Sequence, residues 1–172
     1  LPPLSMSASG KLCDPVGHET PERLFQIRAA AAAEFAREFK ADVLVVEMFP
    51  LGRKKFAAEV KALVDTARET SSAKVVCSVR DILVTTRADQ IQFDRNAVNI
   101  LNRDFDALLV HADPNFVDFE DSLSTYAEIQ IPIHYTGYIA PCAIQPKKHR
   151  DLGIVVSAGG GRVGRRLIEV VH

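Results

Sequence analysis

Gly159, Gly160, Gly161 and Gly164 follow an apolar run at residues 153–156 and precede RRLIEVV, so a G-x-G-x-x-G spacing stands between a strand pattern and a helix pattern. Glycines there let the backbone turn sharply and approach an anion, and the helix beyond aims its unpaired N–H groups at the same point. Phosphate is the ligand such a turn suits, with Ser157, Gly159, Gly160, Gly161 and Arg162 in position to touch it. The alternative is a plain tight strand-to-helix turn. A dinucleotide site further wants an acid about 20 residues on, and the sequence reaches His172 before that position.

A second set of candidates sits at the ends of four apolar runs. These ends read Glu47-Met48-Phe49-Pro50, Ser78-Val79-Arg80-Asp81, His111-Ala112-Asp113 and Tyr135-Thr136-Gly137-Tyr138. Ligands of open α/β sheets bind beyond the carboxyl ends of the strands, so polar groups collected there form a candidate cleft. Glu47 suits acid–base or hydroxyl-binding work, or a salt bridge with Arg53 or Lys54, or a cap on the next helix. Arg80 suits an oxyanion or a partner carboxylate and Asp81 a sugar hydroxyl, or the two form a charge network fixing the loop that follows. His111 suits a general base, or a structural imidazole bonded to backbone. Thr136 completes the cleft side. Cys77, inside a run and without a motif, reads as core. His18 belongs to an early loop and joins the cleft only if that loop folds back.

The elements that must position these groups alternate. Thr20-Pro21-Glu22 is an N-cap, a proline at the first helical position and an early acid, with Leu24, Ile27, Phe35 and Phe39 as the apolar stripe of the helix it opens. The runs ADVLVVEMFP, AKVVCSVRDIL, FDALLVHADP and IPIHYTGYIA read as strands, with helical segments at residues 53–70 and 88–103 between the first three and a further helix at 115–127. VLVV and ALLV are apolar on both alternating faces, as strands of a parallel sheet are. The fold expected is α/β, a doubly wound, mainly parallel Rossmann-like sheet with helices on both faces. Residues 1–20 read as loop, and 140–150, with two prolines and the basic string KKHR, as linker.

Composition bounds what these groups can serve. The 172 residues are 47% hydrophobic with a formal net charge of −1, enough for a core and without the basic field that draws nucleic acid. Three scattered cysteines argue against a disulfide framework and fit a reducing, cytoplasmic setting. The five histidines lack metal-ligand spacing, and no GxSxG elbow marks a nucleophilic serine. No signal-peptide pattern or run long enough to span a bilayer occurs, and peripheral membrane contact stays open.

Five strings taken in order, VVEMFPLGRKKFAAE, VVCSVRDIL, LNRDFDALLVHADP, IPIHYTGYIA and IVVSAGGGRVG, resemble a bacterial family of predicted glycosyltransferases similar to MurG-type, family 28-like enzymes. Those enzymes move N-acetylglucosamine from UDP onto an acceptor. The resemblance implies the GT-B architecture, with residues 1–139 the later part of an acceptor-side domain, 140–150 the interdomain linker and 151–172 the start of a donor-side domain. It implies a UDP-sugar donor and an unknown acceptor, with no cofactor and no metal, and places the glycine turn on the donor diphosphate. Glu47, Asp81 and His111 become the catalytic candidates, with Arg80 and Thr136 beside them on the acceptor side. The family's glycine-rich, histidine-containing loop is missing, so the chain is expected to be an interior portion, inactive alone and prone to self-association through uncovered sheet. The alternatives are a nucleotide-binding or structural Rossmann-like module without chemistry, a UDP-sugar epimerase, or a fragment of an NAD-dependent oxidoreductase.

Overall fold

The computed structural model describes residues 1–6, 12–14, 16, 18, 22–80, 83–139 and 169–170. Two units separate, Leu1–Ile139 and Ala140–His172; in the second, Glu169 and Val170 are described and are helical. The glycine turn, with Ser157, Gly159, Gly160, Gly161 and Arg162, lies outside the described residues, as does Asp81.

The first unit opens on a short antiparallel pair, β1 (Ser5–Met6) with β2 (Leu12–Cys13), where a plain loop was expected. Cys13 is buried and shares a hydrogen bond of 3.1 Å with the Ser5 hydroxyl, which ties the pair together. Helix α1 (Glu22–Phe39) follows. Its buried face is not the predicted stripe: Ile27, Phe35 and Phe39 are exposed, the two phenylalanines stacked on each other at 5.3 Å, while Arg28, Ala32, Ala33 and Ala36 face inward. Small alanines let two helix backbones approach closely, and α1 packs along α2 (Ala57–Ser71). Arg28 crosses that seam. Its guanidinium donates to both oxygens of buried Glu59, at 2.5 and 2.9 Å, and to the Pro2 carbonyl.

The core is a four-stranded sheet, β3 (Val43–Glu47), β4 (Lys74–Arg80), β5 (Ala107–His111) and β6 (Ile133–Tyr135), parallel throughout and in chain order. The α/β, parallel, Rossmann-like class read from the strand patterns is the architecture present. Right-handed crossovers between strands laid down in sequence order put successive helices over one face. Val46, Val75, Cys77, Val79, Leu108 and Val110 accordingly pack with Val64 of α2 and Ala97, Val98 and Leu101 of α3 (Gln90–Asp104). Among the described residues the opposite face is the more open one: Val43 and Val45 are 54% and 58% exposed. Strand parity therefore assigns each residue to a packed face or an open one.

The helix expected at 115–127 is replaced by two 3₁₀ turns, Phe119–Ser122 and Tyr126–Glu128. Side chains here compete for the backbone groups a helix would use. Asp118 accepts from the Glu120 N–H at 3.0 Å, and the Ser122 hydroxyl donates to the Phe119 carbonyl at 3.0 Å. Two residues of α3 hold the segment down: Asp94 accepts from the Ser124 N–H and hydroxyl, and Asn102 bonds the Gln130 N–H and the Glu128 carbonyl. Phe119 and Leu123 thereby fill the core in place of a helix face.

The Arg28–Glu59 pair yields a stability test. Glu59→Ala leaves a buried guanidinium unpaired and is expected to cost about 3–5 kcal/mol in urea unfolding, whereas Arg28→Met with Glu59→Leu recovers most of that loss.

Candidate functional site

The strand ends converge as their parity requires. Glu47, Ser78 and Leu109 stand level across β3, β4 and β5, and Arg80 stands level with His111. Parallel partners share a face, so Glu47, Ser78, Arg80 and His111 all belong to the open face, with Thr136 joining immediately after β6. Two side-chain groups form there.

The first is a carboxylate between two guanidinium groups. Arg53 donates to Glu47 Oε2 at 2.9 Å and Arg80 donates to Oε1 at 3.1 Å. The loop after β3 brings Arg53 back: Met48 and Arg53 both take the left-handed backbone, at φ 66° and 53°, and the Gly52 N–H closes on the Met48 carbonyl at 2.7 Å. Non-glycine residues in that region carry backbone strain, and here two of them flank one carboxylate. The Arg80 hydrogen bond, opposed by partial burial and reinforced by the charges of both arginines, holds the Glu47 carboxyl below the usual glutamate range. It is thus a carboxylate at neutral pH, suited to accepting hydroxyls rather than delivering a proton. Lys54, the other cation considered for it, sits over the Phe93 ring at 4.0 Å.

The second group is a chain of three. Ser78 Oγ lies 2.7 Å from His111 Nε2, and His111 Nδ1 lies 2.7 Å from Thr136 Oγ1. Thr136 has one hydroxyl proton and a carbonyl to take it, Gly137 at 2.9 Å, with Val110 at 3.4 Å as the longer contact. With the Thr136 proton on a carbonyl, its oxygen is free to accept from His111 Nδ1–H; with the proton turned to the ring, Nδ1 is the acceptor. In the first of these tautomers the neutral imidazole has a bare Nε2 facing the Ser78 hydroxyl; in the second, Nε2–H donates to Ser78. His111 bonds through both nitrogens to side chains rather than to backbone.

Other residues considered from sequence lie elsewhere. Cys77 faces the packed side, fully buried, its thiol pushed up to about 12 by burial, and donates to the Phe49 carbonyl. His18 pairs with Asp14 at 3.1 Å in an exposed turn. Asp113 accepts from the Asn115 N–H and shapes the turn after β5. No three His, Cys, Asp or Glu side chains group for a metal, and no helix is long and apolar enough to cross a membrane, among the described residues. Sequence reasoning named Ser78 as part of a strand end but gave it no role. Its signal was the two-residue spacing to Arg80 and an offset that sets it two residues before His111's level, on the same face, and that offset is visible only once the strands are paired.

Comparison with known proteins finds no matching family model and no matching curated protein. Among solved structures, a mutant morphinone reductase in complex with tetrahydroNAD matches with a TM-score of 0.47 and 10% identity, over 80% of this chain and 46% of that one. The chain thus spans under half the length of the structure it matches, and a likeness this loose assigns it neither that protein's fold nor its chemistry. The MurG-type glycosyltransferase resemblance is corrected: no family model or curated protein supports it, and a solved protein that does match is a reductase in complex with tetrahydroNAD. The UDP-sugar donor falls with it, and so does the expectation of no cofactor. The physical reason is that VLVVE, VVCSVR and ALLVH are written by the parallel sheet itself, as apolar strands ending in polar loops, and unrelated α/β chains share that grammar.

Glu47 gives a direct electrostatic check. Its depressed pKa adds stability that is present above the pKa of an unfolded glutamate and lost as pH falls through the lower folded-state value. A carbon-13 carboxyl titration is expected to place Glu47 below an ordinary glutamate, and Arg80→Ala is expected to move its midpoint upward.

Proposed function

We propose that this chain is a nucleotide-binding α/β module whose ligand lies against the open face of the sheet, at the carboxyl ends of β3 to β6. The observation that carries the reading is Glu47 held ionised between Arg53 and Arg80, level with Ser78 and beside His111. A fixed carboxylate accepts the vicinal hydroxyls of a ribose, and the adjoining guanidinium groups attract the phosphates that a nucleotide carries beside them. Arg80 is 69% exposed at its side chain, so it can turn to an anion at small desolvation cost. The place agrees with the general position of ligands in open parallel sheets.

Calorimetric titration of the full chain with ADP, NADH and FMN tests it. At least one is expected to bind, and Arg80→Ala is expected to weaken that ligand roughly tenfold, as the loss of one charge-assisted contact does. Absence of heat with all three, from a chain that unfolds cooperatively, contradicts the reading.

A further inference from the structure

We infer that Ser78 is a nucleophile toward carboxylic esters, with His111 as its base and Thr136 as the residue that positions the imidazole. A serine hydroxyl becomes an effective nucleophile when a base lies within hydrogen-bond reach and a third group orients that base. All three parts stand here on rigid elements: Ser78 on β4, His111 on β5 and Thr136 directly after β6, joined at 2.7 Å and 2.7 Å. One tautomer of His111 gives the chain the direction a nucleophile needs. With the Thr136 proton on the Gly137 carbonyl, which lies 2.9 Å away, Nδ1–H donates to Thr136 and Nε2 is left to take a proton from Ser78; this is the tautomer the proposal requires. A purely structural histidine could bond to any backbone carbonyl; this one turns a ring nitrogen to a side-chain hydroxyl on each side.

The step balances. Ser78 Oγ forms a bond to the ester carbonyl carbon while its proton passes to His111 Nε2, giving a tetrahedral oxyanion. That intermediate collapses as the bond to the alcohol oxygen breaks and His111 returns the proton to the leaving alcohol. Water then gives a proton to the same nitrogen as its oxygen bonds to the acyl carbon, and the Ser78 Oγ–acyl bond breaks as Nε2 returns that proton to Ser78, releasing the carboxylic acid. Arg80, level with His111 on the same face and 69% exposed, is the cation available to turn from Glu47 toward the oxyanion. This activity shares the open face and Arg80 with the proposed nucleotide site, but its covalent test does not require a nucleotide to bind.

The test is covalent labelling of the full chain with a fluorophosphonate probe, with the modified peptide located by mass spectrometry. Loss of fluoride with attachment at Ser78 is expected, abolished in Ser78→Ala and slowed on the order of 100-fold in His111→Ala. Thr136→Val is expected to slow labelling while Thr136→Ser restores it, both at an unchanged melting temperature, which a merely structural threonine would not produce. A variant that loses its melting transition is replaced by His111→Gln. Labelling that is absent, that falls on another residue, or that persists at the same rate in a folded His111 variant overturns the proposal.

Discussion

The parallel register of β3 through β6 is the constraint on which the rest of this structure depends. With Glu47 level with Ser78 and Arg80 level with His111, five chemically competent residues at or after the ends of four strands fall on one face. A slip of one residue would turn each strand over, sending Cys77 and Val79 outward and Ser78 into the core. The packed face resists such a slip, because Val75, Cys77, Val79, Leu108 and Val110 are completely buried against α2 and α3. Hydrophobic burial on one side of the sheet thus fixes polar geometry on the other. At the opposite end of the strands, Asp106 reinforces the same register: its carboxylate accepts from the Val75 N–H at 2.8 Å and from Arg68 of α2 at 3.0 Å.

How much of this was legible in the sequence follows from the range of each interaction. The strands were legible because a buried parallel strand has to be apolar on both alternating positions over several residues, as VLVV and ALLV are. Helices α1, α2 and α3 were legible for similar local reasons, although the buried stripe of α1 was not. Which side of α1 turns inward is decided by Arg28 meeting Glu59 thirty-one residues away, and no local periodicity contains that partner. The segment before β6 misled in the other sense. Its composition permits a helix, but Asp118 and Ser122 satisfy backbone groups locally, while Asp94 and Asn102, distant in sequence, clamp it to α3.

The site divides along the same line. Glu47, Arg80, His111 and Thr136 stood out because each ends, or directly follows, an apolar run. Their pairing did not, because it depends on strand offsets and on a loop whose left-handed residues Met48 and Arg53 return a cation to Glu47. Ser78 was passed over because a search for a nucleophile by local motif presupposes a strand-to-helix elbow. Here the serine stands within a strand, and its base comes from the next strand at a sequence distance of thirty-three residues. The glycosyltransferase resemblance failed for a related reason: strings that record the sheet's own requirements do not record what the sheet's edge binds.

The claim that the open edge carries a directed chain from Ser78 through His111 to Thr136 is tested most directly by the tautomer of His111. Long-range proton–nitrogen correlation spectra of nitrogen-15-labelled chain, recorded where the imidazole is neutral, distinguish the two ring nitrogens. The account predicts a protonated Nδ1 and a bare Nε2. A proton on Nε2, with Nδ1 bare, would contradict it, since Ser78 would then accept rather than donate and could not be activated by this histidine.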